Sequence, residues 1–319
     1  MAKPKIINGP ELDMLTAGGQ APFRYCPDDI GKIVYISSSD YRAAPYTKEQ
    51  KAARLAIYAG LSAVVVIAAF IWQGYASWLP WLALVAGAIA VFISWHNVNT
   101  FEGVDYFLGE AGFGSAAFKD TRDNVSPRRT IYFSQIAEVT HREEDIYVRE
   151  RDGDGRVSER HYDHTNFTYE FFGLPDVQGN VELVHKKSGK YVKKQGQESH
   201  IEYYFYRAVE EVWSRYRHDR IEATNPSQRI FSEVRRSTVG DGYVLVPRVA
   251  LTNDAIIVDS TVFPHDQIKS IKLDDGQIVI KHANYTSSML GLKHNGDKAV
   301  IDLSRIGNAE MLCYYLRIQ

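Results

Sequence analysis

The sequence has almost no cysteine and no excess of charge of one sign. Only Cys26 and Cys313 occur among the 319 residues, without CxxC or Cys/His spacing, which argues against a zinc module or a disulfide scaffold. A reducing compartment fits this composition. The formal net charge is −2, so no nucleic-acid partner is expected. The first fifteen residues also lack the apolar core of a secretory signal peptide.

Two long apolar runs are present instead. Leu55 to Trp72 and Trp78 to Trp95 are each eighteen residues without a charged side chain. Each run can cross a bilayer core of about 30 Å, at the short end of the usual range. Because both runs are apolar on every face, rather than on one stripe, we predict a membrane α-helical hairpin of two transmembrane helices. Pro80 suits the first turn of the second helix.

The residues around these runs predict their orientation. The link Gln73 to Ser77 has no Lys or Arg, whereas Lys48, Lys51 and Arg54 precede the first run. The positive-inside rule then puts both termini in the cytoplasm, at the inner (plasma) membrane. Aromatic rings collect at the headgroup layers, and we expect five of them at the membrane interfaces: Trp72, Tyr75, Trp78, Trp81 and Trp95.

Each run also has two small residues four positions apart, which lets helix backbones approach closely in lipid. These helix-packing residues are Ala56 with Gly60 and Ala83 with Gly87. Packing within the hairpin explains them, and a homo-oligomer formed on a trigger stays open. An always-open channel is not favoured, because neither run has an ionisable side chain or a polar stripe to line water.

The rest of the chain is typical of a mainly-β α+β soluble region, with short β-branched and aromatic runs between turn residues. A turn is predicted at RDGDGR, and a hairpin over 181–192 with its turn at Ser188 and Gly189. An amphipathic helix should cover His200 to Ala223. The other strands predicted before this helix are 104–108, 112–118, 129–133, 136–141, 146–151 and 156–162.

The same order recurs after that helix. Strands are predicted at 243–246, 249–252, 255–259, 267–273, 277–281 and 299–303. A last helix, Asn308 to Ile318, begins at an Asn suited to the cap. Near the start of the chain, Lys32 to Ser37 could add an edge strand to these barrels.

An internal repeat supports two related units. Ile131 to Val148 resembles Ser260 to Ile280, and each segment has a Phe, a nearby Ile, an acidic turn and an alternating strand. In this alignment Phe133, Ile136, Val139 and Ile146 correspond to Phe263, Ile268, Ile271 and Ile278.

Three segments, FLGEAGFG, FSQIAEV and RIGNAEML, resemble segments of uncharacterised bacterial membrane-anchored proteins with tandem pleckstrin-homology-like (PH-like) domains. The resemblance covers roughly residues 104–319. It implies two PH-like small barrels, each closed by a C-terminal helix, and carries over no catalytic residues. The domains expected are a cytoplasmic segment 1–52, the hairpin 53–97, and PH-like domains 98–223 and 224–319.

The strongest local charge is HKKSGKYVKK, His185 to Lys194. Its lysines could bind a phosphate or an anionic lipid headgroup, and a solvated strand edge explains them at least as well. The candidate ligand-binding residues are Lys186, Lys187, Lys190, Lys193 and Lys194.

The other candidate motifs do not support a phosphate-binding, calcium-binding or catalytic site. SGK lacks the spacing of a phosphate loop, and Asp152, Asp154 and Glu159 do not complete a calcium loop. The HYDH segment, His161 to His164, has side chains that can bind a metal ion, but a polar surface strand is the commoner explanation of this pattern. The charged segment His141 to Asp145 is interpreted as a solvated turn. We therefore predict no catalytic residue, metal or cofactor.

Two functions follow as expectations. The first is a membrane-anchored cytoplasmic scaffold, not an enzyme, that recruits a protein partner or an anionic lipid headgroup to the inner membrane. The alternative is a two-span effector or immunity-type protein in bacterial defence or interbacterial competition, whose soluble domain senses a trigger or toxin.

Overall fold

A computed structural model describes residues 6–7, 28–40, 44–75, 77–126, 129–149, 160–194, 200–224, 227–238, 242–287 and 294–318. Four α-helices lie in these ranges: α1 (Lys48–Gln73), α2 (Leu79–Asn99), α3 (Ile201–Thr224) and α4 (Ala309–Leu316). The strands before α3 are β1 (Ile6–Ile7), β2 (Ile33–Ser38), β3 (Glu102–Gly109), β4 (Gly112–Lys119), β5 (Thr121–Val125), β6 (Arg129–Tyr132), β7 (Ile136–Val148), β8 (His161–Gly173), β9 (Asn180–Val181) and β10 (Leu183–Tyr191).

The strands after α3 begin a second series. They are β11 (Gln228–Arg236), β12 (Tyr243–Thr252), β13 (Ala255–Val258), β14 (Thr261–Pro264), β15 (Ile268–Asp274), β16 (Gln277–His282), β17 (Thr286–Ser287), β18 (His294–Asn295) and β19 (Lys298–Asp302). The predicted RDGDGR turn lies outside the described residues, as do Asp152, Asp154 and Glu159.

The sheets are mostly antiparallel, which confirms the mainly-β character of this region. One sheet has the order β1-β2-β3-β4-β5, with β6 also paired with β4. The others are β10-β8-β7, then β11-β12-β13-β14 with β9 beside β12, then β15-β16-β19 and the small β17-β18 ladder. Among the described strands no sheet closes into a barrel, although a single bridge pairs Glu233 with Ile306.

The chain divides into two compact units. One is built from 36–107 and 114–129 and contains α1 and α2. The other is built from 28–35, 108–113 and 130–319, and contains both α3 and α4. The domain boundaries expected from the sequence, with a junction at 223/224, stay a prediction.

Helices α1 and α2 confirm the predicted helix pair. Both are long and apolar enough to cross a membrane, judged by length and composition. Helix α1 begins seven residues before its apolar run, because Thr47 and Gln50 form a capping box in which each side chain bonds the other's backbone N–H. Pro80 lies in the first turn of α2, as predicted. No side chain of α1 is buried.

Several strand predictions before α3 are wrong. The segment His141 to Asp145 is not a turn, because β7 is one strand of thirteen residues. Ser188 and Gly189 do not form a hairpin turn either, since they lie within β10 and pair with Thr168 and Phe167 of β8. A Cβ at Gly189 would stand 2.7 Å from the Phe167 ring, so this glycine makes room for a buried aromatic side chain.

Three other differences concern strand extent and position. Strand β8 begins at His161, where a predicted strand was expected to end, and β12 is one strand where two were predicted. Strand β2 confirms the strand predicted at Lys32 to Ser37, which pairs with β3, but the two-residue β1 lies on its other side, so β2 is not the edge strand that was predicted. The sequence prediction also omitted β5, β11 and β14.

The repeat is partly reproduced. Phe133 follows β6 in a 3-10 turn that leads into β7 at Ile136. Phe263 lies one residue before the end of β14, which a 3-10 turn connects to β15 at Ile268. Both phenylalanines are fully buried. The correspondence of Ile146 with Ile278 is wrong, because Ile146 continues β7 whereas Ile278 belongs to the next strand, β16.

Two cores support the second unit. Aromatic rings dominate the core under α3, where Phe113 packs against Phe171 and Phe205, and Phe133 packs against Trp213. Aliphatic side chains dominate the core under α4, including Ile278, Ile280, Ile301 and Leu312. Burying such side chains supplies most of the favourable free energy of folding.

Candidate functional site

Three of the five candidate lysines are already paired with carboxylates. The Nζ atoms of Lys186, Lys187 and Lys193 lie 2.7, 2.6 and 2.7 Å from Glu170, Glu202 and Asp145 respectively. Lys190 and Lys194 are exposed and have no ion pair within the described ranges. The lysine strand, β10 with Lys193 and Lys194, therefore presents less free positive charge than its sequence indicates, and anion binding there stays a prediction.

In the HYDH segment, His164 bonds to two neighbouring side chains. His164 Nδ1 lies 2.6 Å from Asp163 Oδ2, and its Nε2 lies 3.2 Å from Asn166 Oδ1. In the described part of the chain, no group of three or more His, Cys, Asp or Glu side chains is arranged to hold a metal ion.

The alternation of β7 instead directs His141 and Glu143 toward α3. His141 Nδ1 lies 3.2 Å from Glu210 Oε2, and His141 Nε2 lies 3.2 Å from Glu143 Oε1. The imidazole also stacks on the Tyr169 ring, with 4.1 Å between centroids. Two hydroxyls complete the group, because Tyr191 and Tyr203 donate to Glu143 at 2.7 and 2.9 Å. We call these five polar residues, His141, Glu143, Tyr191, Tyr203 and Glu210, the histidine cluster.

The charges of the histidine cluster stabilise one another. Burial alone would lower the pKa of His141, but the hydrogen bonds and charges of Glu143 and Glu210 outweigh it and raise the pKa to about 9. Burial likewise opposes ionisation of Glu143, yet the bonds from His141 and the two tyrosines lower its pKa to about 2. At neutral pH the cluster therefore holds an imidazolium ion between carboxylates.

A second polar group surrounds Asn308, which has a left-handed backbone conformation at φ +56°. Asn308 is at the N-cap position of α4, as predicted, but its side chain makes no capping bond to that helix. Its amide oxygen instead accepts from Trp213 Nε1 at 2.7 Å and from the Val139 backbone N–H at 3.3 Å. Its amide nitrogen donates to the Glu138 carboxyl. We call Asn308, Glu138, Trp213 and the Val139 backbone the asparagine node.

The asparagine node joins the β7–α3 half of the unit to the half that ends in α4. The Asn308 backbone N–H donates to the Val139 carbonyl at 2.8 Å, and the Gly307 N–H donates to the Ser232 carbonyl at 2.9 Å. A Cβ on Gly307 would lie 2.4 Å from Glu138 Oε2, so only glycine leaves room here. Burial raises the pKa of Glu138 to about 8, against the lowering effects of the Arg217 charge and the Asn308 hydrogen bond.

The helix pair uses small residues at its contact. A Cβ on Gly87 would lie 3.3 Å from Ser62 Cβ, so Gly87 faces α1, four residues after Ala83. Ala56 lines a groove between the helices together with Ala59 and Ala63. A Cβ on Gly60 would meet no described atom within 4 Å, so this position of α1 stays open.

The five aromatic residues expected at the membrane interfaces are all more than half exposed, from 51% for Trp95 to 86% for Trp72. Near the link, Trp81 Nε1 donates to the Tyr75 carbonyl at 3.4 Å, and the Trp81 ring packs edge-on against Phe70. Trp78 lies just before the first turn of α2.

Sequence reasoning missed both polar groups. His141 and Glu143 were placed in a solvated turn, although their alternate positions carry the signal of one strand face. Glu210 lies beyond the edge of the apolar stripe of α3, so its burial is not evident from the sequence. Nothing in the sequence indicates that Asn308 would bond a strand 170 residues away.

Comparisons with protein-family models, with curated proteins and with solved structures find no match to this chain.

Proposed function

We propose that this chain is a membrane-anchored binding protein of the bacterial inner membrane. In this proposal α1 and α2 cross the bilayer, both termini are cytoplasmic, and the β-rich unit holds two PH-like domains that recruit a protein partner. No reaction is assigned to it.

The exposed apolar helices support the anchoring part. Helix α1 has no buried residue among its twenty-six, and although it contacts α2, its apolar residues Val64, Val65 and Ile71 are 65%, 61% and 81% exposed. Removal of so much apolar surface from water favours insertion into lipid.

One observation carries the binding part of the proposal. The acid–base groups of the histidine cluster and of the asparagine node bond to other groups of the same unit. His141, Glu143 and Glu210 hold one another, and Glu138 is held by Asn308, all within the protein. Groups used in this way fix a structure, and the asparagine node fastens both halves of the unit into one body. A fixed body on a membrane anchor suits recruitment of a partner.

A helix-exchange experiment tests this assignment. Residues 53–97 are replaced by an unrelated two-helix hairpin, and both chains are tagged, cross-linked in membranes and purified in detergent. We expect the same protein partner at a constant ratio to the native and exchanged chains. Recovery of lipid alone from both chains would contradict the protein-partner proposal.

Deleting residues 226–319 is the less informative alternative. Such a deletion removes Asn308 and leaves the buried Glu138 and Trp213 side chains without their shared partner. Loss of a partner from that variant would therefore also follow from unfolding.

Orientation is tested separately with single cysteines in a Cys26→Ser, Cys313→Ser background. We expect Ser77→Cys in the link to react with an impermeant maleimide added outside intact cells. Val262→Cys in the second unit should react only after the membrane is opened. Reaction of both positions from outside would contradict cytoplasmic termini.

The open position at Gly60 favours a second candidate, the two-span effector or immunity-type protein. In that case Gly60 would face the α1 helix of another copy. For the effector form we expect growth arrest on overexpression, relieved by Gly60→Leu but not by Ala83→Leu if Gly60 alone forms the contact; the immunity-type form predicts harmless overexpression. Growth arrest that persists in the helix-exchanged chain would argue against an effector role for these helices.

A further inference from the structure

The three-stranded sheet β15-β16-β19 has an inner and an outer face of different chemistry. Its inner face carries buried Ile280 and Ile301. On the outer face the register sets Lys272, Val279 and Val300 in one cross-strand row. The next row contains Ser270, Lys281 and Lys298. We call Lys272, Lys281, Lys298, Val279 and Val300 the lysine face.

The lysine face is compact, although its residues are distant in sequence. Adjacent strands lie about 4.8 Å apart, and alternate residues on a strand lie about 6.8 Å apart. The three ammonium groups therefore project from two neighbouring rows. Lys272 and Lys298 are exposed, and Val300, on the same strand and face as Lys298, is 37% exposed.

Among the described residues, no carboxylate neutralises the charges of the lysine face. Within the part of the chain that the structure describes, no carboxylate lies at ion-pair distance from Lys272, Lys281 or Lys298. Lys281 Nζ lies 5.1 Å from the Tyr285 ring centroid, a contact that orients the ammonium group and keeps its charge. Lys269, at the same end of the sheet, donates to the Tyr285 carbonyl at 3.1 Å.

Negative charge lies at the opposite end of the outer face. The third row there contains Asp274, Gln277 and Asp302. Asp302 Oδ2 lies 3.6 Å from Arg305, and its other oxygen accepts from Ser304. Along the strands the outer-face side chains therefore change from Lys281 and Lys298 at one end, where exposed Asp297 precedes Lys298, to Asp274 and the Arg305-paired Asp302 at the other.

We propose that the lysine face is a second membrane contact, which binds the anionic lipid headgroups of the bilayer that holds α1 and α2. This inference rests on the anchoring part of the proposed function. Lysines attract the anionic cytoplasmic leaflet, and the exposed Val300 adds an apolar side chain that can enter the headgroup layer.

The covalent anchor makes this weak attraction sufficient. Because α1 and α2 already hold the chain at the bilayer, the lysine face meets lipid headgroups at a high effective concentration. Three lysines therefore need not recruit the chain from solution. A soluble acidic protein would have no such advantage. Charge complementarity and the tether together favour the lipid surface.

The test places the full-length chain in nanodiscs, with an environment-sensitive fluorophore on Val300→Cys in the Cys26→Ser, Cys313→Ser background. Lipids carrying a headgroup nitroxide quench a fluorophore that touches the bilayer. We expect severalfold stronger quenching with roughly one-third anionic lipid than with zwitterionic lipid alone. At about 1 M salt, where the Debye length is about 3 Å, the difference should disappear.

Two controls complete the test. A fluorophore on Val262→Cys, 53% exposed on β14, should show no dependence on lipid charge. Lys272→Gln, Lys281→Gln and Lys298→Gln together should abolish the Val300 response, whereas the matched change of Lys186, Lys187 and Lys193 to Gln should leave it.

Each other outcome has a distinct meaning. A chain that enters the nanodisc without charge-dependent quenching at Val300 overturns this inference and leaves the anchor intact. A shift in the emission of the Val300 fluorophore that appears only when an acidic protein is added, without nitroxide quenching, would overturn it in favour of a protein ligand. A chain that does not enter the nanodisc contradicts the proposed anchoring itself.

Discussion

The lysine strand has many lysines close together in the sequence but little unpaired charge on its surface, and the lysine face shows the opposite combination. In the lysine strand, lysines are crowded in sequence, yet Glu170, Glu202 and Asp145 pair with three of them. In the lysine face, Lys272, Lys281 and Lys298 are scattered over twenty-seven residues, yet the register of three strands brings them together without carboxylate partners at ion-pair distance in the described structure. Local charge density in a sequence is therefore a poor guide to free charge on a folded sheet.

The same contrast extends to the two halves of the second unit. The half closed by α3 pairs its charges inward, in the histidine cluster, and the half closed by α4 presents lysines outward. The asparagine node joins these halves. Substitutions at the node, in the cluster and on the two lysine surfaces should therefore differ in their effect on stability and rank in that order.

The largest effect is expected at the node. Asn308→Ala leaves the Trp213 N–H, the Val139 N–H and the Glu138 carboxyl without a partner and puts alanine at φ +56°. We expect a loss of about 3–5 kcal/mol in the free energy of unfolding. Denaturant titration of the full chain in detergent, followed by near-ultraviolet circular dichroism, measures it.

Asn308→Gly is the matched control, because glycine keeps the left-handed backbone without strain. We expect it to lose less stability than Asn308→Ala, by about 1 kcal/mol. Equal and small losses, comparable with that of the exposed control Asn166→Ala, would refute the joining role of Asn308.

The next largest effect is expected in the histidine cluster. His141→Phe keeps an aromatic ring against Tyr169 but leaves the buried Glu210 carboxylate without its imidazolium partner. We expect a loss of about 2–4 kcal/mol at pH 6. Because the folded pKa of His141 is raised from 6.5 to about 9, its stabilisation is fully present below pH 6.5 and is lost as pH rises toward 9.

The gap between native chain and His141→Phe should therefore narrow between pH 6.5 and 9. A gap that widens over that window would show that His141 is neutral in the folded protein. At the acid end, the lowered pKa of Glu143 predicts that its own contribution is lost as pH falls from 4.5 to about 2.

At the asparagine node, the substitution Glu138→Gln is expected to raise stability at high pH. Its pKa is raised from 4.5 to about 8, so folding favours the neutral carboxyl and stability falls as pH rises through that range. Glu138→Gln keeps an acceptor for Asn308 and cannot ionise. We expect equal stability of the two chains near pH 4 and an advantage for Glu138→Gln of at least about 1 kcal/mol at pH 9. An unchanged pH profile would contradict the buried carboxyl.

The smallest effects compare the two lysine surfaces directly. A double-mutant cycle on Lys187 and Glu202 should give a coupling energy of about 0.2–1 kcal/mol, because the pair is partly exposed. Lys298→Gln should change stability by less than about 0.5 kcal/mol. A cost at Lys298 that equals the cost at Lys187 would show that the lysine face has a partner of its own.

Sequence reasoning was most accurate where the signal is local. The apolar runs, α3, α4 and the strands at Val104 and Gly112 have periodicity and turn residues that decide them within one window. It was least accurate for β7, because HREED reads as a turn when the partners of His141 and Glu143 are unknown. A solvated turn and an internally paired strand have the same local sequence pattern here, and only the position of α3 distinguishes the two.

The functional surfaces follow the same rule. The lysine strand was found because its lysines are adjacent, and its neutralisation was missed because Glu170, on β8, becomes a neighbour only through strand register. The lysine face was not noticed, since Lys272 and Lys298 approach each other only when β16 lies between β15 and β19. Pairwise register is the information that a single sequence lacks.

The asparagine node also bears on the time course of folding. Glu138 and Asn308 are 170 positions apart, and closing so long a loop is entropically costly and slow compared with forming a helix or a hairpin. Glu138 and Trp213 gain their shared partner only when this closure happens. The earlier half of the unit therefore reaches its final contacts only after the later half has folded against it.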